Sequence, residues 1–203
     1  MAHRATFLVL GATGGTGKHF VIQALQDGHK VRALVRTPDK LPSEVRDNKD
    51  LQILQGSITD DTLDTDGLVA GVDYRLDARG RERTTTRQDQ HGIREEADPL
   101  HAATQRQLPW LLWAIRYTVA RGYGGQHEDN EVVHEYLTTE AKDIEWSVHL
   151  AGIGSDGPSK GTLERSETQF SIGTHKDCAA YNYRTVMDPS AVHTCQFSHY
   201  ARK

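Results

Sequence analysis

Cysteine is scarce in this sequence, which holds only Cys178 and Cys195 among 203 residues. The two form no C-x-x-C pair, so the pattern argues against a disulfide framework and against a cysteine-based zinc site. Long apolar runs are also missing. The run over residues 7–12 is too short for a signal peptide, and no stretch approaches the length of a transmembrane helix. We therefore expect a cytoplasmic protein without a membrane partner.

Apolar and aromatic residues are few, at 36% and 7% of the chain, which predicts a thin core. The length suits one α/β domain over residues 1–203 and is too short for two. Basic residues gather over residues 75–87, but Glu95, Glu96 and Asp98 follow at once. The net charge is −4, so no basic face indicates a nucleic-acid partner.

The first sixty residues predict a strand, a glycine loop, a helix and a parallel strand. Short continuous apolar runs are typical of strands buried on both faces of a sheet, and the apolar residues between them recur at helical spacing. The predicted strands are residues 6–10, 31–35 and 51–55, and the predicted helices are residues 18–27 and 62–70. This order is that of a βαβ unit in a doubly wound parallel sheet.

The loop Gly11-Ala-Thr-Gly14-Gly15-Thr-Gly17 lies between the first strand and the first helix. In a dinucleotide-binding loop, Gly11 permits the tight turn, Gly14 lets the backbone approach a pyrophosphate, and Gly17 lets the helix pack closely. The helix N-terminus attracts phosphate groups. The candidate cofactor-binding residues here are Gly11, Thr13, Gly14, Gly15, Thr16 and Gly17, and the alternative is a glycine-rich turn without a ligand.

Arg36 ends the second predicted strand, where sites that prefer NAD(H) place Asp or Glu to hold the ribose 2′-hydroxyl. A guanidinium there favours the 2′-phosphate of NADP(H) by charge and paired hydrogen bonds. Lys40 adds a second cation, while Asp39 lies too far along to be the usual ribose acid. The alternative for Arg36 is a solvated surface arginine.

The glycine loop, the segment Val31-Arg-Ala-Leu-Val-Arg36 and the segment Gly56-Ser-Ile-Thr-Asp60 resemble the atypical short-chain dehydrogenases. The similarity is greatest to the NmrA-like and flavin-reductase-like branch, which includes biliverdin reductase B-like proteins. This resemblance implies a Rossmann-type fold that binds NADP(H), with Arg36 on the 2′-phosphate and Asp60 near the adenine. Ser57 stands where many relatives carry Asp, so that position departs from the family pattern.

Residues 108–203 resemble fungal members of this branch, in Trp110-Leu-Leu-Trp113, Gly125-Gln-His-Glu-Asp-Asn130, Ile153-Gly-Ser-Asp-Gly-Pro158 and Asp177-Cys-Ala-Ala-Tyr-Asn-Tyr183. Some of those are tailoring oxidoreductases of aflatoxin- and sterigmatocystin-type polyketide pathways. The resemblance implies an oxidoreductase of fungal secondary metabolism with a small aromatic polyketide substrate, and residues 150–203 as a substrate-side cap. The alternatives are a non-catalytic NmrA-like NADP(H)-sensing regulator and a damaged, inactive paralogue.

Residues 75–107 do not fit this pattern, because they are crowded with polar and charged residues at the place of the fourth and fifth strands. A frameshift explains the segment: moving the reading frame by one nucleotide allows 75–80 to read VSMLGD and gives 87–107 an apolar helical pattern. The sequence therefore predicts a doubly wound sheet whose fourth and fifth strands are degraded or missing.

The Tyr-x-x-x-Lys pair of short-chain dehydrogenases is absent, since Tyr117-Thr-Val-Ala-Arg121 ends in an arginine that cannot shuttle protons. His127 and His134 lack zinc-site spacing, and a solvated helix face is preferred over a metal site, although His127 can also contact a bound substrate.

A late strand is predicted over residues 143–149, followed by a loop over residues 151–161. Ser155 and Asp156 are candidates to border the substrate there, although a plain surface turn explains them equally well. His149, Tyr181 and Tyr183 are expected to pack rather than to react. The catalytic residue stays unknown, no metal is expected, and the sequence leaves the oligomeric state open.

Overall fold

The computed structural model describes residues 4–78 and 135–201. In the first range, four parallel strands form a sheet in the order β3-β2-β1-β4. The strands are β1 (Thr6–Leu10), β2 (Lys30–Val35), β3 (Leu51–Gln55) and β4 (Tyr74–Asp77), and the helices are α1 (Gly15–Gln26), α2 (Ser43–Arg46) and α3 (Thr65–Val69). The predicted parallel α/β sheet is thereby confirmed.

Strand β1 explains why the sheet is covered on both faces. Its side chains alternate, so Phe7 and Val9 enter one apolar cluster with α1, while Leu8 enters a second cluster with Leu68 of α3. Phe7 and Val9 are fully buried. Burial of a large apolar side chain contributes on the order of 2 kcal/mol. Because both faces of β1 are covered, every position of the strand gains from an apolar residue, which explains the continuous apolar run.

The register of the strands brings their carboxyl ends to one edge of the sheet. Leu10 at the end of β1 lies opposite Leu34 in β2 and opposite Asp77 in β4. The loops that follow β1, β2 and β4 therefore begin side by side. Ligands of doubly wound folds bind at this edge.

The fourth strand is present, which corrects the expectation that it is degraded or missing. Tyr74–Asp77 pairs in parallel with β1 in a strand of only four residues. Tyr74 stacks on Phe7 with a ring-centroid distance of 5.2 Å, so alternate positions of this polar stretch still reach the core. The fifth strand and the remainder of the proposed frameshifted segment lie outside the described residues, and the frameshift stays a prediction.

The C-terminal range contributes β5 (Ser147–Leu150), β6 (Gly152–Ser155), β7 (Leu163–Ser166), β8 (Ile172–Thr174), α4 (His175–Val186) and β9 (Thr194–Tyr200). Strand β9 pairs in parallel with β5 and antiparallel with β7, while β6 pairs with β8. The predicted late strand begins four residues later than expected. The predicted loop after it contains β6, because pairing with β8 orders a glycine-rich stretch that shows no apolar alternation.

Two compact units divide the chain, namely Met1–Gly80 with Glu145–Lys203, and Arg81–Ile144. Within the first unit, α4 packs against α1 and places Ala179 and Tyr183 in the main apolar cluster. In the second unit, the described residues form a short helical turn over residues 135–139. Among the described ranges, no helix combines the length and apolarity needed to cross a membrane.

Candidate dinucleotide-binding site

The glycine loop turns sharply off the end of β1. Gly11 has a φ of 79°, a left-handed conformation that only glycine adopts without strain, and the Gly14 N–H donates to the Gly11 carbonyl at 2.9 Å. Helix α1 then begins at Gly15, three residues earlier than predicted, because the end of the glycine segment forms its first turn. A side chain at Gly17 would overlap the Gly11 carbonyl, so the loop and helix contact each other directly.

The N-terminus of α1 is left open by its own sequence. Among the described residues no side chain caps it, and its first turn, residues 15–18, holds no acidic residue. By contrast, Asp64 caps α3 by accepting from the Gly67 N–H, and Thr174 caps α4 by accepting from the Asp177 N–H. The first N–H groups of a helix have no intrahelical acceptor and carry a partial positive charge. An anion at α1 would supply the acceptor that the sequence omits.

His175 lies against this helix start and explains why glycine is required at position 15. A Cβ on Gly15 would lie 2.5 Å from the nearest imidazole atoms of His175. The His175 Nδ1 is 3.1 Å from the Thr16 hydroxyl, and Thr16 is only 7% exposed. Thr16 therefore faces a histidine of α4. Sequence reasoning missed His175, since its partner lies 159 positions earlier and no local pattern joins them.

Arg36 and Lys40 lie on the segment that follows β2. Both side chains are exposed, and Lys40 ends a short 3-10 turn over Pro38–Lys40. Arg46 of α2 supports this segment by donating to the carbonyls of Asp39 and Leu41 at 2.7 and 2.9 Å. The two candidate cations thus extend from a segment that Arg46 holds to α2.

Asp60 follows β3, as the sequence predicts, and organises its own turn. Its carboxylate accepts from the Ser57 N–H at 2.6 Å, while the Ser57 hydroxyl contacts Thr59 at 2.9 Å. The side chain is exposed at the same edge of the sheet as the glycine loop. Asp60 thus shapes the turn after β3, a contribution that sequence reasoning did not anticipate.

An ion pair joins α1 to the loop after β6. Lys18 Nζ lies 3.2 Å from Asp156 Oδ1, and the hydrogen bond from Lys18 holds the pKa of Asp156 below its usual value. Burial and then the neighbouring Lys18 charge lower the pKa of His19 in the same turn. Asp156, proposed from sequence as a substrate neighbour, therefore lies beside the first turn of α1.

Asp177 anchors the same loop from α4. Its carboxylate accepts from the Ser159 hydroxyl at 2.5 Å, the Lys160 N–H at 2.9 Å and the Tyr200 hydroxyl at 2.7 Å. Burial alone would raise the pKa of Asp177, but these donors lower it below its ordinary value. Burial and the bond to Asp177 raise the pKa of Tyr200 to about 12. Asp177 is thus a satisfied structural carboxylate.

His149, Tyr181 and Tyr183 pack, as the sequence analysis preferred. Burial lowers the pKa of His149 to about 4, and its ring nitrogens lie 2.7 Å from Asn182 Oδ1 and 2.8 Å from Ser198 Oγ. Tyr181 and Tyr183 are 4% and 6% exposed. A neutral, fully partnered imidazole has no free group for proton transfer.

Three further residues considered in the sequence analysis, Tyr117, His127 and His134, lie outside the described residues. In the part of the chain that is described, no three His, Cys, Asp or Glu side chains group as metal ligands would. Surface depressions of about 310 and 240 Å³ lie between β7 and α4 and between α1 and α2, away from the glycine loop.

Residues 11–144 match the sequence pattern of the NAD(P)H-binding family, which covers the glycine loop, the end of β2 and the turn after β3. The chain belongs to this family. Its shared property is NAD(P)H binding, in agreement with an uncapped helix start beside a glycine loop. The predicted dependence on a nicotinamide dinucleotide is thereby confirmed at the level of NAD(P)H.

A curated relative is oxidoreductase GME11367 of Pestalotiopsis microspora. It is 44% identical over 68 residues, which make up 32% of this chain and 26% of that protein. The match therefore spans about a quarter of the relative's length, so the two proteins share a segment and not a demonstrated activity.

Solved structures share the fold over nearly the whole chain. The oxidoreductase ylbE from Lactococcus lactis is 10% identical, with a TM-score of 0.63 over 98% of this chain and 92% of its own. ChuY, an anaerobillin reductase from Escherichia coli O157:H7, is 16% identical, with a TM-score of 0.64 over 98% of each chain. A Rossmann-fold NAD(P)-binding protein from Shigella flexneri is 13% identical, with a TM-score of 0.58 over 99% and 98%. At these identities the likeness concerns the fold alone.

Proposed function

We propose that this chain is an NADP(H)-dependent oxidoreductase. The observation that carries the proposal is the pairing of an uncapped α1 N-terminus, reached through Gly11, with a guanidinium at the end of the adjacent strand β2. The first feature suits a diphosphate and the second suits an additional phosphate. Membership of the NAD(P)H-binding family supports the same reading.

Each part of the site has a binding task in this proposal. The N–H groups of Gly15 and Thr16 hold the diphosphate at the helix start, where Gly14 leaves room for the approach. Arg36 and Lys40 hold the 2′-phosphate, on the segment that Arg46 supports. Asp60 borders the adenine from the turn after β3. These residues orient the cofactor across the carboxyl edge of the sheet.

The nicotinamide supplies the hydride chemistry when the cofactor is bound, and the protein supplies position and exclusion of water. We assign no catalytic side chain, since no Tyr-x-x-x-Lys pair occurs in the sequence. The proposed substrate is a flat aromatic polyketide intermediate of fungal secondary metabolism. Its support is the resemblance of the C-terminal motifs to tailoring oxidoreductases.

The test is the affinity of Arg36→Ala for two cofactors. Loss of charge-assisted hydrogen bonds costs about 1.5–3 kcal/mol, so the dissociation constant for NADPH should rise by about 10- to 150-fold, while that for NADH stays nearly unchanged. Lys49→Ala is the matched control, because Lys49 is an exposed cation just before β3, at the amino edge of the sheet. Equal weakening of NADH and NADPH would contradict the proposed preference.

The missing Tyr-x-x-x-Lys pair also favours a second candidate, a non-catalytic NADP(H)-sensing regulator. Both candidates bind the cofactor, so turnover separates them. Steady oxidation of NADPH with a quinone or flavin acceptor would exclude the regulator. A damaged paralogue would show no thermal stabilisation at saturating NADPH, because only a ligand that binds the folded state shifts the unfolding midpoint.

A further inference from the structure

We propose that His175 is a ligand of the cofactor diphosphate, so that helix α4 completes a site otherwise formed by the glycine loop. The inference rests on the cofactor binding proposed above. It adds a residue from the C-terminal part of the chain, 159 positions away from its contact at Thr16.

The position of the imidazole carries the inference. His175 is the first residue of α4, and its ring lies against Gly15, the first residue of α1. A Cβ on Gly15 would lie 2.5 Å from Cε1, Nδ1 and Nε2 of that ring. The ring is therefore adjacent to the open N–H groups that attract an anion. A diphosphate bound there would lie beside the imidazole.

One hydrogen bond to the ring and the cap of its helix set the position of His175. Its Nδ1 lies 3.1 Å from the Thr16 hydroxyl. The preceding residue, Thr174, is fully buried and accepts from the Asp177 N–H at 3.2 Å, which fixes the start of α4. When the Thr16 hydroxyl donates to Nδ1, Nε2 carries the proton and is free to donate to a phosphate oxygen. A histidine placed in this way needs little reorganisation on binding.

The charges around the ring also suit an anion. His19 of α1 and Asp156 of the loop after β6 interact electrostatically with His175, and Lys18 and Lys176 interact with His19. Asp156 is the one carboxylate in this set, and it is paired with Lys18. A positive charge on the imidazole would therefore strengthen its interaction with a bound diphosphate.

The experiment measures the dissociation constant for NADPH of the full chain between pH 5.5 and pH 8, in wild type and in His175→Asn. Asn can keep a hydrogen bond to Thr16 but carries no charge. The dissociation constant of His175→Asn divided by that of the wild type should be about fivefold larger at pH 5.5 than at pH 8, because a positive charge on the imidazole has no counterpart in Asn. The 2′-phosphate also titrates in this range. Its contribution is common to both proteins and cancels in the ratio.

His19→Asn is the matched control, as it removes a neighbouring histidine from the same turn as Lys18 and should keep most of the wild-type pH dependence. If His175→Asn folds poorly in circular dichroism, His175→Gln is measured instead. A constant ratio across the pH range, even with weaker binding overall, would mean that the ring acts by packing alone and would overturn the inference.

Failure of the inference and failure of the proposed function give different results. A wild-type chain that binds NADPH, beside a His175 variant with the same constants at every pH, overturns the inference only. A wild-type chain that does not bind NADPH at any pH overturns both. The assignment is supported if the ratio for His175→Asn rises at low pH while the corresponding ratio for His19→Asn stays nearly constant.

Discussion

Residues 4–78 and residues 145–201 are stabilised by different means. The first range buries an apolar cluster on each face of a parallel sheet. The second range forms short strands around α4, where buried polar groups such as Asp177 and Ser198 have hydrogen-bond partners. Its own apolar cluster is small, with Leu163, Cys178 and Tyr181 at its centre.

The two ranges differ in how their stabilising contacts are encoded in the sequence. Apolar burial is non-directional and leaves a periodic pattern in the sequence. A buried carboxylate depends on donors from distant segments, and removing one donor leaves a costly unsatisfied group. The N-terminal range should therefore be most sensitive to backbone overlap in the glycine loop, and the C-terminal range to loss of single polar partners.

Gly17→Ala should have the largest effect, because the new Cβ would lie 2.2 Å from the Gly11 carbonyl oxygen. A main-chain oxygen cannot move aside as the end of a flexible side chain can. We expect the free energy of unfolding to fall by about 3 kcal/mol, together with loss of NADPH binding. Urea unfolding and an NADPH titration measure the two effects. Gly28→Asn is the control, since Gly28 has a φ of 82° in open space and Asn tolerates this conformation. Equal losses in both variants would contradict direct contact between loop and helix.

Asp177→Asn should come next, with a loss of about 2 kcal/mol, because an amide cannot accept from all three donors. The folded-state pKa of Asp177 lies below its ordinary value, so its contribution is present above about pH 4 and is lost as the pH falls through the folded pKa. The variant should therefore lose stability less steeply in acid. Glu164→Gln, at an exposed carboxylate of β7, should leave the free energy of unfolding and its decline in acid unchanged. An unaltered acid limb in Asp177→Asn would refute the role of this network.

His149→Gln tests the polar network through pH. The folded pKa of His149 is about 4, below the ordinary value of 6.5, so the neutral ring stabilises the fold fully above pH 6.5. Stability should then decline from pH 6.5 to pH 4, by at most about 1.4 kcal/mol per pH unit, and the variant should lack this decline. Unfolding curves at several pH values measure it. His193→Asn removes an exposed imidazole and should retain the wild-type slope. A slope that survives in His149→Gln would assign the effect to another group.

Asp156→Asn should have the smallest effect, since both partners of its ion pair with Lys18 are solvent-accessible. The unfolding midpoint should stay the same, while NADPH should bind a few-fold more tightly because a negative charge near the helix start is removed. The gain should shrink at high salt, as exposed charges are screened. Asp47→Asn, at an exposed carboxylate of the segment after α2, is the control and should leave affinity unchanged. Weaker binding in Asp156→Asn would show that the carboxylate assists the cofactor.

Much of the N-terminal fold could be predicted, because its causes are local. The strand bounds of β1 and β3 agree with the prediction, and β2 begins one residue earlier. Helix α3 is shorter than expected, since Asp64 caps it and excludes the two residues before. The strand at Tyr74–Asp77 was unpredictable from its polar composition, because pairing with β1 and stacking on Phe7 decide it.

The candidate site divides in the same way. Arg36 and the glycines could be proposed from sequence, since a tight turn and the end of a strand are local features. Their role as ligands stays a prediction. The contact of His175 with Gly15 and Thr16 could not be proposed, because it depends on how α4 packs against α1.

Local sequence features specify the βαβ unit and its uncapped helix start, because the apolar period, the glycine positions and the capping side chains act within a few residues. The distant groups that surround this helix start are set by the packing of the folded chain. It brings His175 to Gly15, pairs Lys18 with Asp156, and joins Asp177 to the loop that carries Asp156. The reason is that packing of α4 on α1 selects these partners, and no short-range pattern encodes a contact between segments so far apart.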